Sequence, residues 1–212
     1  MRNPVQACLV WVGLRTSEEV VTIIGNELPA TFTFGEAERR GVTRRALQRM
    51  LAAGSVERVG RGLYRRTDRE PVDYDLIEIA VKAHRPTLCL ISALAWHELT
   101  DIIPSVHDIA VPRGVWRPRV SAPVHWHQFD VSTFDIGRKM VSVDDSYTLG
   151  LYDAPRSIID AYRIRHEVGP DIANEALRRW LRHGGKPIDL MRITKEFPAA
   201  RPAVLNALQI LS

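Results

Sequence analysis

Cysteine is nearly absent. Cys8 and Cys89 are the only two in 212 residues, and they form neither a disulfide framework nor a thiolate metal spacing. A small disulfide-stapled fold is excluded, and a reducing cytoplasm is the expected location. Long apolar runs are missing as well. Val5–Leu14, behind Arg2, is far too short to span a bilayer. It lacks a small-x-small cleavage site and is followed by the polar Arg15–Glu19, so it is expected to be an extension that packs on the first domain rather than a signal. Internal repeats and low-complexity tracts are lacking too.

Catalytic patterns are equally scarce. Lysine occurs only at Lys82, Lys139, Lys186 and Lys195, and two residues before them stand Ala80, Gly137, Gly184 and Ile193, so the D/E-x-K spacing of many nucleases is missing. His97-Glu98 has no second histidine four residues on, which excludes the zincin motif. His125-Trp126-His127 places two imidazoles on one strand face. No third ligand stands nearby in sequence, and zinc needs three or four, so a surface pair is expected. His107-Asp108 shows no evident nucleophile partner. Gly54-Ser55 followed by Asp73-Tyr74-Asp75 imitates a nucleotidyltransferase, but a basic hairpin fills the gap, and the likeness reads as coincidence. The expectation is a protein with no enzymatic site, no metal and no cofactor.

What is present is arginine, unevenly placed. The formal net charge is +4 and the pI about 9.3. Residues 1–69 hold 12 Arg against 7 acids, whereas the rest of the chain nets −1. The chain is long enough for two modest domains. The polar stretch Thr67–Asp73, with Pro71, marks the boundary, giving domains over residues 1–69 and 73–212. The surplus positive charge lies entirely in the first, as a footprint for a polyanion.

The order of elements in that first domain points to DNA. Ser17 caps an expected helix with Glu18 and Glu19 in its first turn and Val20, Val21, Ile23 and Ile24 on its apolar face. A second helix runs from near Thr33 to Gly41, with Ala37 where two helices approach closely and Gly41 at a turn suited to positive φ. Thr43 caps a third helix. On a 3.6-residue period Val42, Ala46, Leu47, Met50 and Leu51 face inward, leaving Arg44, Arg45, Gln48 and Arg49 outside. Arginine matches guanine O6/N7 and glutamine adenine N6/N7 in the major groove. Val56–Val59 and Gly62–Arg65 then read as a hairpin around Gly60-Arg61, with glycine at the first turn position of a type II′ turn. Arg58, Arg61, Arg65 and Arg66 are expected to meet phosphate. Between Arg39 and Arg69 stand ten arginines and only two acids, Glu57 and Asp68. The expected fold is a winged helix-turn-helix whose DNA-contacting set is Thr43, Arg44, Arg45, Gln48, Arg49, Arg58, Arg61, Arg65 and Arg66. A solvated basic face is the alternative reading of the third helix alone.

The second domain reads as mixed α+β, with strands in the middle and helices at both ends. Helices are expected over Asp75–His84, Leu88–Leu99, Asp153–His166, Asp171–His183, Ile188–Phe197 and Val204–Leu211. Strands are expected over His107–Pro112, Val124–Phe129, Met140–Val143 and Tyr147–Tyr152. Trp96, Trp116, Trp126 and Trp180 lie in this domain, as core or as partner surface. Arg113, Arg117 and Arg119 around Trp116 form a basic loop, either a second DNA or RNA contact or a solvated segment.

Several of these segments carry a family resemblance. Leu90-Ile91-Ser92-Ala93-Leu94-Ala95-Trp96-His97-Glu98-Leu99-Thr100 with Ile103-Pro104 is similar to the "SALALHGLT…IP" segment of AbiEi-type antitoxins, with Glu98 where that family has a small residue. Ile109-Ala110-Val111-Pro112-Arg113-Gly114 is similar to its "IAIPRG" strand, and Pro155-Arg156-Ser157-Ile158-Ile159-Asp160 to its "PERTLxD" helix start. The winged helix resembles that family's front domain. The resemblance covers roughly residues 17 to 210; residues 130–147 and the extension to Leu14 depart from it. It implies an antitoxin that binds double-stranded DNA repeats in its own promoter, represses it, and neutralises an AbiEii/MenT-like nucleotidyltransferase toxin encoded beside it. The alternative is a winged-helix transcriptional regulator whose C-terminal domain senses a ligand or oligomerises and has no toxin partner.

Overall fold

The computed structural model describes residues 28–69 and 72–211. The extension Val5–Leu14 and the helix expected over Ser17–Ile24 lie outside the described residues. The fold is α+β, and the chain divides into two units. The described part of the first ends at Tyr74 and includes Val143–Tyr147; the second holds Asp75–Ser142 and the chain from Thr148.

The first unit contains β1 (Thr31–Thr33), α1 (Phe34–Arg39), α2 (Arg44–Ala52), β2 (Val56–Gly60) and β3 (Leu63–Arg66). The strands form an antiparallel sheet in the order β1-β3-β2. β1 is not apparent in the sequence, because three residues are too short for an alternation to register. It matters nonetheless: Thr31 pairs with Arg65 and Thr33 with Leu63, which ties the start of α1 to the hairpin. Phe32, Ala37, Val42, Leu47 and Met50 are buried in one core with Leu28 and Val56. Full burial of a side chain such as Phe32 contributes about 1.5–3 kcal/mol.

The second unit begins with α3 (Tyr74–Lys82), whose first residue closes the first unit. β4 (Thr87–Leu88), α4 (Leu90–Trp96), β5 (His107–Pro112), β6 (Val124–Phe129), β7 (Arg138–Ser142) and β8 (Thr148–Tyr152) follow. After them come α5 (Ala154–Arg163), α6 (Arg165–Val168), α7 (Pro170–Arg182), α8 (Pro187–Ile193), a 3-10 turn (Thr194–Glu196) and α9 (Arg201–Leu211). The sheet order is β6-β5-β4-β8-β7. Its middle strand has only two residues, antiparallel to β5 and parallel to β8. Sequence periodicity assigns Leu88 to the following helix, since two residues cannot show a period of two.

The motif Pro155–Asp160 sits in the core of this unit. Asp153 caps α5, its side chain accepting from the Arg156 N–H at 2.9 Å. Arg156 is fully buried. Its guanidinium lies 4.3 Å from the Tyr152 ring centre and 4.4 Å from that of Phe197. It donates to Asp160 at 2.9 Å and to the carbonyls of Thr133 and Ile136, each at 2.7 Å. Arg163 donates to the same buried Asp160. The i,i+4 spacing of Arg156 and Asp160 puts both on one helix face, and the pair joins α5 to the segment before β7.

α4 ends in a Schellman motif. The Leu99 N–H donates to Leu94 O at 2.8 Å and the Glu98 N–H to Ala95 O at 3.0 Å. Glu98, the residue inside that turn, takes φ 58. Glycine adopts this left-handed conformation without penalty, which accounts physically for the small residue of the resembling pattern at this position.

Candidate nucleic-acid interface

The helix-turn-helix is built from two caps and one turn. Thr33 and Glu36 form a capping box on α1: the Thr33 N–H donates to the Glu36 carboxylate at 2.6 Å, and the Glu36 N–H donates to Thr33 Oγ1 at 3.3 Å. The Tyr147 hydroxyl donates to the same carboxylate at 2.7 Å. Burial opposes ionisation of Glu36, but the Thr33 N–H and the Tyr147 and Thr33 hydroxyls outweigh it and hold the carboxyl below the ordinary glutamate range. α1 stops at a Schellman turn, with the Val42 N–H on Ala37 O at 3.0 Å and the Gly41 N–H on Glu38 O at 2.9 Å. Gly41 takes φ 86, and Val42 and Ala37 pack in the same core. This turn fixes the angle at which α2 leaves α1.

Thr43 then caps α2, its Oγ1 accepting from the Ala46 N–H at 3.2 Å. Ala46, Leu47 and Met50 are buried, and Thr43, Arg44, Arg45, Gln48 and Arg49 are exposed. The first turn of α2 carries no acid, so the positive end of its dipole and two arginines add together. The Arg44 guanidinium lies 5.1 Å from the centre of the Phe34 ring. Phe34 thus restrains Arg44, a role invisible in the sequence because the contact crosses the turn. A row of Arg44, Arg45, Gln48 and Arg49 on one outward edge offers donors of the kind that read guanine and adenine edges.

The wing differs from its expected form in two respects. Gly60 pairs with Leu63, so the loop is Arg61-Gly62, and the positive φ, 76, falls on Gly62 at the second loop position. A type II′ turn, which needs it at the first, is therefore ruled out. The register also shifts between Arg58 and Gly60, and this bulge accounts for the one-residue offset.

The second difference concerns the arginines. Arg58 and Arg61 are exposed, as a phosphate contact requires, with Arg58 Nε donating to Gly60 O at 3.2 Å. Arg65 and Arg66 are only 5% and 6% exposed. Arg65 pairs with Glu57 at 3.3 Å, donates to Arg69 O and lies 5.5 Å from the Tyr74 ring centre. Arg66 meets both oxygens of Asp68, at 2.9 and 2.5 Å, and donates to Leu28 O at 3.2 Å. The expectation that Arg65 and Arg66 meet phosphate is corrected: the two acids of the basic stretch, Glu57 and Asp68, engage them within the unit.

Residues 30–67 match a family model described as transcriptional regulator, AbiEi antitoxin. The match spans β1 through β3, the whole described winged helix, and the family is one of regulators and antitoxins rather than enzymes. No curated protein matches the chain. Among the described residues no helix is long and apolar enough to cross a membrane.

Several other chemistry-bearing residues have structural partners. His127 Nε2 lies 2.8 Å from Asp108 Oδ1, and His125 Nδ1 lies 3.9 Å from the same oxygen. Both histidines do face one side of β6, but toward a carboxylate on β5. Ser55 Oγ donates to Met50 O at 3.2 Å and closes the end of α2. Cys89 is buried, and that burial raises its pKa well above the ordinary thiol range, which keeps it unreactive.

Proposed function

We propose that this protein is a DNA-binding antitoxin that represses its own promoter and neutralises a nucleotidyltransferase-like toxin of the AbiEii/MenT type. The single observation that carries the DNA-binding part is the outward edge of α2, with Arg44, Arg45, Gln48 and Arg49 exposed above a packed Ala46-Leu47-Met50 face. Support for the antitoxin part comes from the family match over the winged helix and from the resemblance of the second-unit motifs. α2 enters the major groove by its N-terminal residues, Thr43 and the first-turn amides meet the flanking phosphates, and Arg58 and Arg61 hold the adjacent backbone. Domains over residues 1–69 and 73–212 then divide the labour: the first places the protein on DNA and the second restrains the toxin. Both act in the cytoplasm.

The test is co-expression with the adjacent reading frame. Growth rescued from a toxic nucleotidyltransferase-like neighbour by the intact chain supports the proposal. Rescue that persists in the Arg44→Ala/Arg45→Ala/Arg49→Ala variant places antitoxicity in the second domain. A non-toxic or unrelated neighbour favours the plain regulator instead.

A further inference from the structure

The loop between β5 and β6 belongs to the second unit, outside the winged helix, and it has the features of a contact surface. Trp116 is 82% exposed, a state that costs a tryptophan its hydrophobic stabilisation. Arg113, Arg117 and Arg119 surround it in sequence and are exposed, and residues 113–120 contain no acid. Arg113 has Asp130 at 3.9 Å.

The loop is held at both ends. The Arg113 N–H donates to Phe129 O at 2.8 Å and the Val115 N–H to Pro112 O at 3.1 Å. Gln128 Nε2 donates to Val115 O at 3.3 Å. At the far end the N–H groups of Ser121 and Ala122 donate to the buried Glu78 carboxylate at 2.8 and 2.9 Å. Lys82 lies 2.5 Å from the other Glu78 oxygen. A buried carboxylate thus clamps the loop and presents Trp116 and two arginines outward.

We propose that this loop binds unpaired bases of single-stranded nucleic acid, with Trp116 stacking on a base and Arg117 and Arg119 on the flanking phosphates. This goes beyond duplex reading by α2 and does not rest on it. An aromatic face and fixed cations are the two elements of sequence-tolerant single-strand binding. In a duplex the base faces are already stacked, so they are closed to an indole without unstacking. A protein hot spot calls instead for an apolar surround that excludes water. The exposed pair Ile102–Ile103 precedes β5 whereas Trp116 follows it, beyond opposite ends of a strand about 17 Å long, and the apolar sequence neighbours of Trp116 within residues 113–119 are Val115 and Pro118, among three arginines.

The experiment uses the full chain carrying Arg44→Ala/Arg45→Ala/Arg49→Ala, which removes the arginines of α2, with oligo(dT) and oligo(U) of about 12 nucleotides as probes. Binding with quenched tryptophan emission is expected. Trp116→Ala lowers affinity about tenfold or more, and Trp116→Phe restores most of it. Arg117→Ala with Arg119→Ala reduces the slope of log K against log salt by about 1.4, at about 0.7 per phosphate. Unchanged affinity on Trp116→Ala overturns the proposal. So does loss of oligonucleotide binding in the α2 variant while Trp116 is intact, or a polyglutamate peptide bound through Trp116 more tightly than either oligonucleotide. Duplex binding by the unsubstituted chain is measured separately, so the two readings fail independently.

Discussion

Replacing Glu98 by glycine stabilises the second unit. Glu98 occupies the left-handed position of the α4 Schellman turn at φ 58, and its exposed side chain forms no hydrogen bond or ion pair among the described residues. An L-residue there costs about 1–2 kcal/mol relative to an ordinary conformation. Glycine removes that cost but gives up about 0.5–1 kcal/mol through its greater freedom in the unfolded chain. The difference is a gain of about 0.5–1 kcal/mol, or roughly 2–4 °C in melting temperature for a unit of this size. A second effect acts in the same direction, since a carboxylate at a helix C-terminus opposes the dipole by about 0.3–1 kcal/mol. Glu98→Ala isolates it, because alanine loses the charge but keeps the Cβ. Denaturant unfolding of the three proteins is the assay. Glu98→Gly must exceed Glu98→Ala by about the backbone difference; equal stabilities of the two variants would falsify the conformational explanation.

Three further outcomes follow from the geometry. Asp160→Asn leaves Arg156 buried without its anion between Tyr152 and Phe197 and costs about 3–5 kcal/mol; denaturant unfolding that stays within 1 kcal/mol of the parent contradicts the buried-pair account. The folded Glu36 carboxyl titrates below its unfolded value, so the α1 capping box contributes fully above about pH 4.3 and is lost as pH falls through the lower folded value. Carboxyl titration followed by NMR checks this, with Tyr147→Phe moving the Glu36 midpoint back upward. Arg58→Ala with Arg61→Ala flattens the salt dependence of duplex binding by about 1.8, at about 0.9 per phosphate, whereas Arg65→Met or Arg66→Met lowers stability instead; a fluorescence-anisotropy salt titration separates the two pairs.

Much of this was legible in the sequence because the signals are local. Thr43, the Ala46-Leu47-Met50 face and the Arg44-Arg45-Gln48-Arg49 edge all follow from one helical period. Asp153-Ala154-Pro155 announced α5 by its cap, and His107–Pro112 and Val124–Phe129 matched their strands residue for residue. What stayed hidden depends on contacts distant in sequence or on very short elements. β1 and β4 are too short to show a period. The Arg66–Asp68 fork lies only two residues apart, yet nothing local shows that β3 turns Arg66 inward toward Leu28 O. Arginine counts predict charge, not direction, and this is why four wing arginines reduce to two outward ones. The Phe34 support under Arg44 and the Glu78 clamp on Ser121 and Ala122 need the folded backbone to exist at all.

The central claim is that the outward edge of α2 reads duplex DNA in sequence-specific fashion. The direct measurement is binding of the full chain to duplex DNA from upstream of its own gene, in competition with random duplex at near-physiological salt. The parent should prefer the upstream duplex by about a thousandfold or more. The Arg44→Ala/Arg45→Ala/Arg49→Ala variant should lose that preference with its fold intact by circular dichroism. A folded triple variant that keeps the parent's preference would contradict the account.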